Sequence, residues 1–338
     1  MAYMLKTGKN KRQDMQKNHP LLVVMTPVRN EAWVLHAFLK ATSLWADYII
    51  IADQHSTDGS REIALQYSKV ILIDNNNPNF NEAERQKILV DRAREIDGEK
   101  ILFGLDADEI FSANFHKTKD WQKILNSKPG DVFWFKWAEI CPDKKHYWSS
   151  APHYPWMFHD DGEEPHGNYV KNMHSMRIPY PIEEKQMYYV NDFRVLHLAY
   201  LNMHRVDAKR RFYKFVDWEM NKRSIISLSR SYAQVIKGEE IKLPVEFINY
   251  TFDLYREVDL NTTQFWFDQY IIERLNNYPV KKLKKIDLWE KEFLVEYNLK
   301  DPRNVFDKWI HCYLKKTKKI RKKRLVRLID KLFKKHGY

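Results

Sequence analysis

Four short runs of branched apolar residues, separated by helix-length segments, constrain this chain more than any other feature. LLVVMT (21–26), YIIIAD (48–53), VILID (70–74) and KILFGLD (100–106) lack the polar–apolar alternation of a half-exposed strand. They read as strands buried on both faces of a sheet. The first intervening segment places Trp33, Leu35, Phe38 and Leu39 at helical spacing, and Asn81 with Glu84 three residues on gives a helix start signal. Strands alternating with helices predict an α/β fold: a mostly parallel, Rossmann-like sheet flanked by helices. Pro27 is expected to end the first strand. DVFWFKWA (131–138) predicts one further strand, and MYYVNDFRVLHLAYL (187–201) a strand pair or a bent strand. Beyond Asp207 the pattern is helical to the end.

Such sheets bind ligands beyond the carboxyl ends of their strands, so the polar residues there are the candidates. Three groups qualify: TPVRNE (26–31), DQHSTDG (53–59) and DADE (106–109). In an extended segment Asp106 and Asp108 share a side. Their carboxylates would repel unless a cation lay between them. Hard divalent ions take carboxylate oxygen, and Mg²⁺ is commonly held by one or two carboxylates plus substrate phosphates. DADE after a buried strand therefore outlines a metal–diphosphate site. A solvated acidic turn is the plain alternative.

TPVRNEA, DYIIIADQHSTDGS and ILFGLDADEIF resemble, in order, spacing and strand context, the three opening motifs of family-2 glycosyltransferases with the GT-A fold. The resemblance is specific over about residues 21–115. It implies a nucleotide-sugar donor, a divalent cation (Mn²⁺ or Mg²⁺) and, as in most members, inversion by one in-line displacement. It also implies that Pro27 and Glu31 shape the nucleotide pocket with Arg29 at its rim. Asp53 would bond the base, and Ser56, Thr57, Asp58 and Gly59 would form the turn beside it. Asp106 would face ribose and metal, and Asp108 the metal bridging the diphosphate. His197, ending a strand ahead of Lys209, Arg210 and Arg211, would complete the metal shell, with those cations on phosphate. A hydrogen-bonded core histidine is the other reading of His197, and His55 reads as a loop residue. Many relatives carry a His-Glu pair in the acceptor half. The nearest match here, KNMHS (171–175), has Ser175 in place of the Glu. The general base is therefore sought among Glu163 and Glu164, their neighbours Asp160 and Asp161, and Glu139. DDGEE also reads as a hairpin turn around Gly162.

Charge divides the chain. The net charge is +12, yet residues 314–338 hold twelve Lys or Arg and one acid, Asp330. The remainder is nearly neutral, so no nucleic acid partner is expected. In the tail Leu325, Leu328, Ile329 and Leu332 fall at i, i+3, i+4 and i+7 amid basic residues. That pattern suits an amphipathic helix on an anionic membrane surface, or one packed on the body. The expected organisation is a basic extension (1–20), a GT-A domain (21–206), a helical region (207–313) and the basic tail (314–338). Cys141 and Cys312 have no metal-ligand spacing and predict no disulfide. The basic start has no apolar segment behind it, and no run is long enough to span a bilayer. A cytoplasmic enzyme, peripheral on the inner membrane face through its tail, is expected. It would move a sugar to a glycan or lipid-linked acceptor in surface polysaccharide or lipopolysaccharide assembly. Two rivals stand beside this reading. A sugar nucleotidyltransferase usually has a glycine-rich phosphate loop, which TPVRNEA lacks. A non-enzymatic basic protein, binding membrane or nucleic acid, needs no polar strand ends gathered on one sheet edge.

Overall fold

The computed structural model describes residues 19–149, 152–163, 175–179, 187–232 and 240–338. Strands β1 (Leu21–Val28), β2 (Tyr48–Asp53), β3 (Val70–Asp74) and β4 (Lys100–Gly104) pair in parallel in the order β4-β1-β2-β3. Helices α1 (Ala32–Ser43), α2 (Ser60–Ala64) and α3 (Glu82–Arg94) make the crossovers. The apolar runs have a direct cause. Leu22 and Val24 pack with Val34, Phe38 and other α1 residues, while Val23 and Met25 pack with Leu89 and Val90 of α3. Helix α3 starts where expected, with the Asn81 side chain accepting from the Glu84 N–H.

Beyond β4 come β5 (Glu109–Phe111), α4 (Lys119–Leu125), β6 (Val132–Phe135), β7 (Trp137–Ile140), β8 (His146–Ser149), β9 (Tyr154–His159), β10 (Met187–Tyr189) and β11 (Val195–His197). Among the described residues two sheets form. The larger runs β10-β6-β9-β4-β1-β2-β3, with β9 antiparallel to both neighbours. The smaller runs β12-β8-β7-β11-β5, where β12 is Glu240–Lys242. The fold is mixed α/β with a mostly parallel central sheet, as expected.

Four local expectations change. The first strand continues through Pro27 to Val28. The Met25 carbonyl faces β4 and the Val28 carbonyl faces β2, so the Pro27 nitrogen points to the β4 side. Pairing with β4 stops at Met25, so the missing N–H costs no ladder bond. The segment 131–138 is two strands broken at Lys136, β6 in the large sheet and β7 in the small one. The segment 187–201 is likewise shared between the sheets, β10 beside β6 and β11 beside β7. Finally, β12 interrupts the helical region, pairing antiparallel with β8.

The helices that follow are α5 (Met203–Asn221), α6 (Ile225–Ser231), α7 (Val245–Ile248), α8 (Trp266–Leu275), α9 (Val280–Leu283), α10 (Lys291–Glu296), α11 (Val305–Lys316) and α12 (Arg324–Lys335). Apart from α7, they share a second core that includes Phe212, Phe215, Ile226, Ile271, Phe293 and Ile310. The basic tail belongs to this body. Val326 and Phe333 of α12 are buried, and Asp330 receives two 2.8 Å hydrogen bonds from Arg230.

Candidate active site at the carboxyl end of the central sheet

The carboxyl end of β4 opens into the segment holding Asp106 and Asp108. It is a turn, not an extended segment: the Glu109 N–H returns to the Asp106 carbonyl at 2.9 Å. The two aspartates are therefore met by different arginines. Arg177 donates to Asp106 at 2.7 Å and to the buried Glu109 at 2.5 Å. Its backbone crosses directly over Gly104, where an added Cβ would lie 2.9 Å from the Arg177 carbonyl oxygen. Glycine there is what lets the Arg177 segment approach.

Asp108 is almost fully buried. It accepts from Arg205 at 2.9 Å and lies 3.6 Å from His197 Nε2. Arg205 stands on the first turn of α5, and the Asn202 side chain caps that helix. Its guanidinium reaches both oxygens of Glu31 (2.5 and 2.8 Å) and lies over the rings of Trp33 and Phe267. His197 ends β11. Its Nδ1 is 2.7 Å from Glu139 Oε2 on the adjacent β7, and its ring stacks on Trp137. Residues distant in sequence thus surround one carboxylate.

The charges are strongly interdependent. Burial works against ionising Asp108, but Arg205, His197 and Lys209 hold its pKa well below the usual carboxylate range. Asp106 is lowered in the same way against burial, chiefly by Arg177. Burial dominates at Glu31 and Glu109 and raises both, despite Arg205 beside one and Arg177 beside the other. Burial also disfavours charging His197, yet Glu139 and Asp108 push its pKa up to about 10.

All of these groups except Glu139 line a cavity of about 510 Å³, together with Pro27, Arg29 and Arg85. Arg29 lies over Trp266 at 4.4 Å, and Arg85 Nε is buried with no hydrogen-bond partner. Lys209 has no carboxylate within salt-bridge distance among the described residues, while its two neighbours are committed elsewhere. Arg210 pairs with Glu290, and Arg211 with Asp268 and Glu290. Trp137, Tyr154 and Trp156 form one wall, with ring centroids 4.3–5.1 Å apart. Flat apolar rings of this kind give a sugar a surface to lie on.

The arrangement can accept a divalent cation in part. The 3.6 Å between Asp108 Oδ2 and His197 Nε2 lets both bind one ion, and Glu139 on Nδ1 is the outer partner that aims a metal-binding imidazole. Asp106 is turned to Arg177 instead. Among the described residues, the one group of three metal-capable side chains with ligand atoms within 4.8 Å is Asp143, in the turn before β8, with His146 of β8 and Glu240 of β12, none of which lines this cavity.

The other nominated residues lie outside this cavity's lining. Asp53, nearly fully buried at the end of β2, receives Arg61 (2.8 Å) and the Ser56 N–H (3.2 Å) on Oδ2, while its buried Oδ1 has no partner. Asp58 fastens the start of α1, accepting from the Ala32 N–H at 2.9 Å, and bonds Ser60 at 2.6 Å. Ser56 accepts from the Asn30 N–H, tying the first two polar strand ends together. His55 is an exposed loop residue with positive φ. Asp160 bonds Arg94 and the start of β4 at Lys100, with Asp161 and Glu163 beside it. That is the opposite end of β4 from Asp108, so these acids are not brought to the cavity. Glu164 and the segment 171–174 lie outside the described residues. Sequence reasoning missed Arg177, Arg205 and Arg85. Nothing in the local patterns around them marks them, because their partners lie far away in the chain.

No curated protein matches the chain. Similar solved structures include glucosyl-3-phosphoglycerate synthase from Mycobacterium tuberculosis in complex with Mn²⁺, UDP and glucosyl-3-phosphoglycerate, at 17% identity over 36% of this chain and 44% of that one, with a TM-score of 0.27. Another is GalNAc-T7 with UDP, GalNAc and Mn²⁺, at 17% identity over 36% of this chain and 24% of that one, TM-score 0.29. The chain thus spans less than half the length of either. The family model described as glycosyl transferase family 2 matches residues 23–200, more than half of the chain and all of the strands that carry the site, and the chain belongs to that family.

Proposed function

We propose that this family-2 glycosyltransferase moves a sugar from a nucleoside-diphosphate donor to a glycan or lipid-linked acceptor, with a divalent cation bound. The observation that carries the reading is the Asp108–His197 pair in one cavity with the uncommitted Lys209. Asp108 and His197 would hold the cation, which as a Lewis acid offsets charge on the leaving diphosphate. Lys209, on the next turn of α5, would pair with oxygens of the leaving diphosphate. Arg205 stays paired with Glu31 and keeps Asp108 ionised and fixed in place. The Trp137–Tyr154–Trp156 wall orients a sugar ring and excludes water. Such a reaction is tested by thermal shift with UDP, GDP and their sugar conjugates, each with Mg²⁺ and with chelator. A shift for one nucleotide that needs the cation supports the reading; no shift with any of them overturns it.

Asp53 offers a free acceptor, Oδ1, at the strand end where the base would lie. Asp53→Ala is expected to weaken nucleotide diphosphate binding by about 1.5–3 kcal/mol, the range for hydrogen bonds to charged groups. Unchanged affinity by calorimetry would place the base elsewhere. A second expectation concerns pH. His197 is protonated below about pH 10 without a cation, and a metal-bound imidazole must give up that proton. Mg²⁺ affinity should therefore rise between pH 6.5 and 8, approaching tenfold per unit, with about one proton released. Calorimetry in buffers of different ionisation enthalpy reads this directly, and a flat profile would remove His197 from the shell.

The acceptor's confinement to a membrane is supported by the outer face of the last two helices. Leu325, Leu328 and Leu332 of α12 remain 53–68% exposed, as do Phe306 and Trp309 of α11 to a similar degree. Trp309 packs edge-on against Phe333, the buried aromatic of α12, so the two helices are joined there. Exposed Arg324, Arg327, Lys331, Lys334 and Lys335 flank the leucines. A leucine strip bordered by basic residues fits an anionic bilayer surface. No helix among the described residues is long and apolar enough to cross a membrane.

A further inference from the structure

On the far side of α5 from Lys209 lies a second cavity, of about 720 Å³, walled by residues of α5, α6 and α11. Seven of its lining side chains are Lys or Arg and four are Asp or Glu, so its interior is net positive. Asp301, outside the lining, pairs with Arg303 at 2.9 Å and with Lys308 at 3.3 Å, and the lining acids hold two more of the cations. Lys214 bonds Asp287 at 3.0 Å, and Arg210 bonds Glu290 at 2.5 Å and Asp207 at 3.0 Å. Lys318 has no carboxylate within salt-bridge distance among the described residues. Burial, followed by Arg210 and Lys214, pushes its pKa down, as expected of cations crowded without a counterion. Two polar atoms in the wall are buried and unpartnered: Arg210 Nε and the hydroxyl of Ser229, a residue only 6% exposed. Both can donate, and buried donors without acceptors are costly.

An open depression of about 300 Å³ lies between the two cavities: His197, Arg205, Lys209 and Tyr213 line both it and the front cavity, and Arg210 and Tyr232 line both it and the rear one. Successive residues on a helix point about 100° apart. Lys209 can therefore serve the front while Arg210 serves the rear. Tyr213 and Tyr232 line this depression as a stacked pair, with ring centroids 6.2 Å apart and planes 4° from parallel.

We propose that the rear cavity is an acceptor subsite for a phosphate group, which Lys318, Arg210 Nε and the Ser229 hydroxyl bind while the acceptor's reacting hydroxyl extends along the open depression to the front cavity. This rests on the front cavity being the donor site. It gives the acceptor's class: a phosphorylated glycan or a lipid-linked phosphate.

The test titrates phosphate into the full chain already saturated with UDP and Mg²⁺, which occupy the front cavity. Two probes separate the sources: inorganic phosphate, and short-chain phosphatidic acid below its micelle concentration. Whichever binds more tightly identifies the source. Lys318→Glu and Ser229→Ala should each weaken phosphate binding about tenfold or more, with UDP·Mg²⁺ affinity unchanged. Lys318→Glu relieves like-charge crowding, so it keeps the test open if the buried serine variant unfolds. Phosphate binding that is absent from the wild type, or equal in wild type and Lys318→Glu, overturns the subsite. Failure of UDP to bind overturns the donor reading instead, while the loss or retention of phosphate binding in Lys318→Glu still decides the rear cavity.

Discussion

Asp108→Asn should lower sugar transfer by about 10²–10³-fold or more, the scale for removing one group that stabilises charge developing in a transition state. The substitution keeps the shape of the side chain and removes its charge. Arg205 is not stranded, because it keeps both oxygens of Glu31. Stability should therefore fall by less than the 3–5 kcal/mol typical of breaking a buried ion pair. The measurement combines donor turnover, Mg²⁺ affinity and a thermal melt. Turnover and cation affinity should fall together in a folded protein, and excess chelator should reproduce the effect in the wild type. Undiminished transfer in Asp108→Asn, or in chelator, would end the case for a cation at this carboxylate. A variant that unfolds would be replaced by His197→Gln, which removes the other proposed ligand and leaves the Arg205–Glu31 pair intact.

The largest effect expected away from the cavity is on membrane association. Replacing Leu325, Leu328 and Leu332 together by Gln should abolish sedimentation with anionic liposomes. About half of each leucine is exposed, and inserting that area is worth about 1 kcal/mol per residue. Three such losses come to about 10²-fold in binding. The melting temperature should not change, since these side chains face outward. Truncating the tail would be a poorer test, because Val326, Asp330 and Phe333 are part of the body. Wild-type binding should weaken as salt rises, because exposed charges are screened over about 8–10 Å at physiological ionic strength. It should also fail on neutral vesicles. Equal sedimentation of the triple variant and the wild type would place any membrane contact elsewhere.

The parts of this protein legible in its sequence are those set by local pattern. The apolar runs of β1, β2 and β4 are continuous because both faces of those strands are buried, whereas β3, expected to be buried in the same way, lies at the sheet edge and is only half-buried. The polar groups at their ends were recognisable because strand ends in such a sheet converge on one edge. The cap at Asn81 needed only a three-residue relation, and it formed. The amphipathic spacing of the last helix was also plain. Its allocation was not: Val326 and Phe333 turn inward while Leu325, Leu328 and Leu332 turn outward. The wheel angle shows an apolar arc, but only the position of α11 decides which half of that arc is covered.

What the sequence determined alone was the α/β class and the family, and it singled out the carboxylates Asp106 and Asp108 as candidates. The tertiary structure decided what those carboxylates touch. Asp108 meets Arg205 across 97 positions, and Asp106 meets Arg177 across 71, separations at which no helical or strand period relates two residues. It decided that Lys209, rather than Arg210 or Arg211, faces the cavity, because Glu290 and Asp268 capture the other two. It also gave Glu139 a place behind His197, through the pairing of β7 with β11, and left Asp160, Asp161 and Glu163 at the wrong end of β4. The physical reason is the same in each case. Periodicity within a strand or helix is local steric geometry, which a short stretch of sequence contains. Which charge finds which counter-charge depends on how distant segments pack, and burial makes that choice energetically decisive only once the fold has formed.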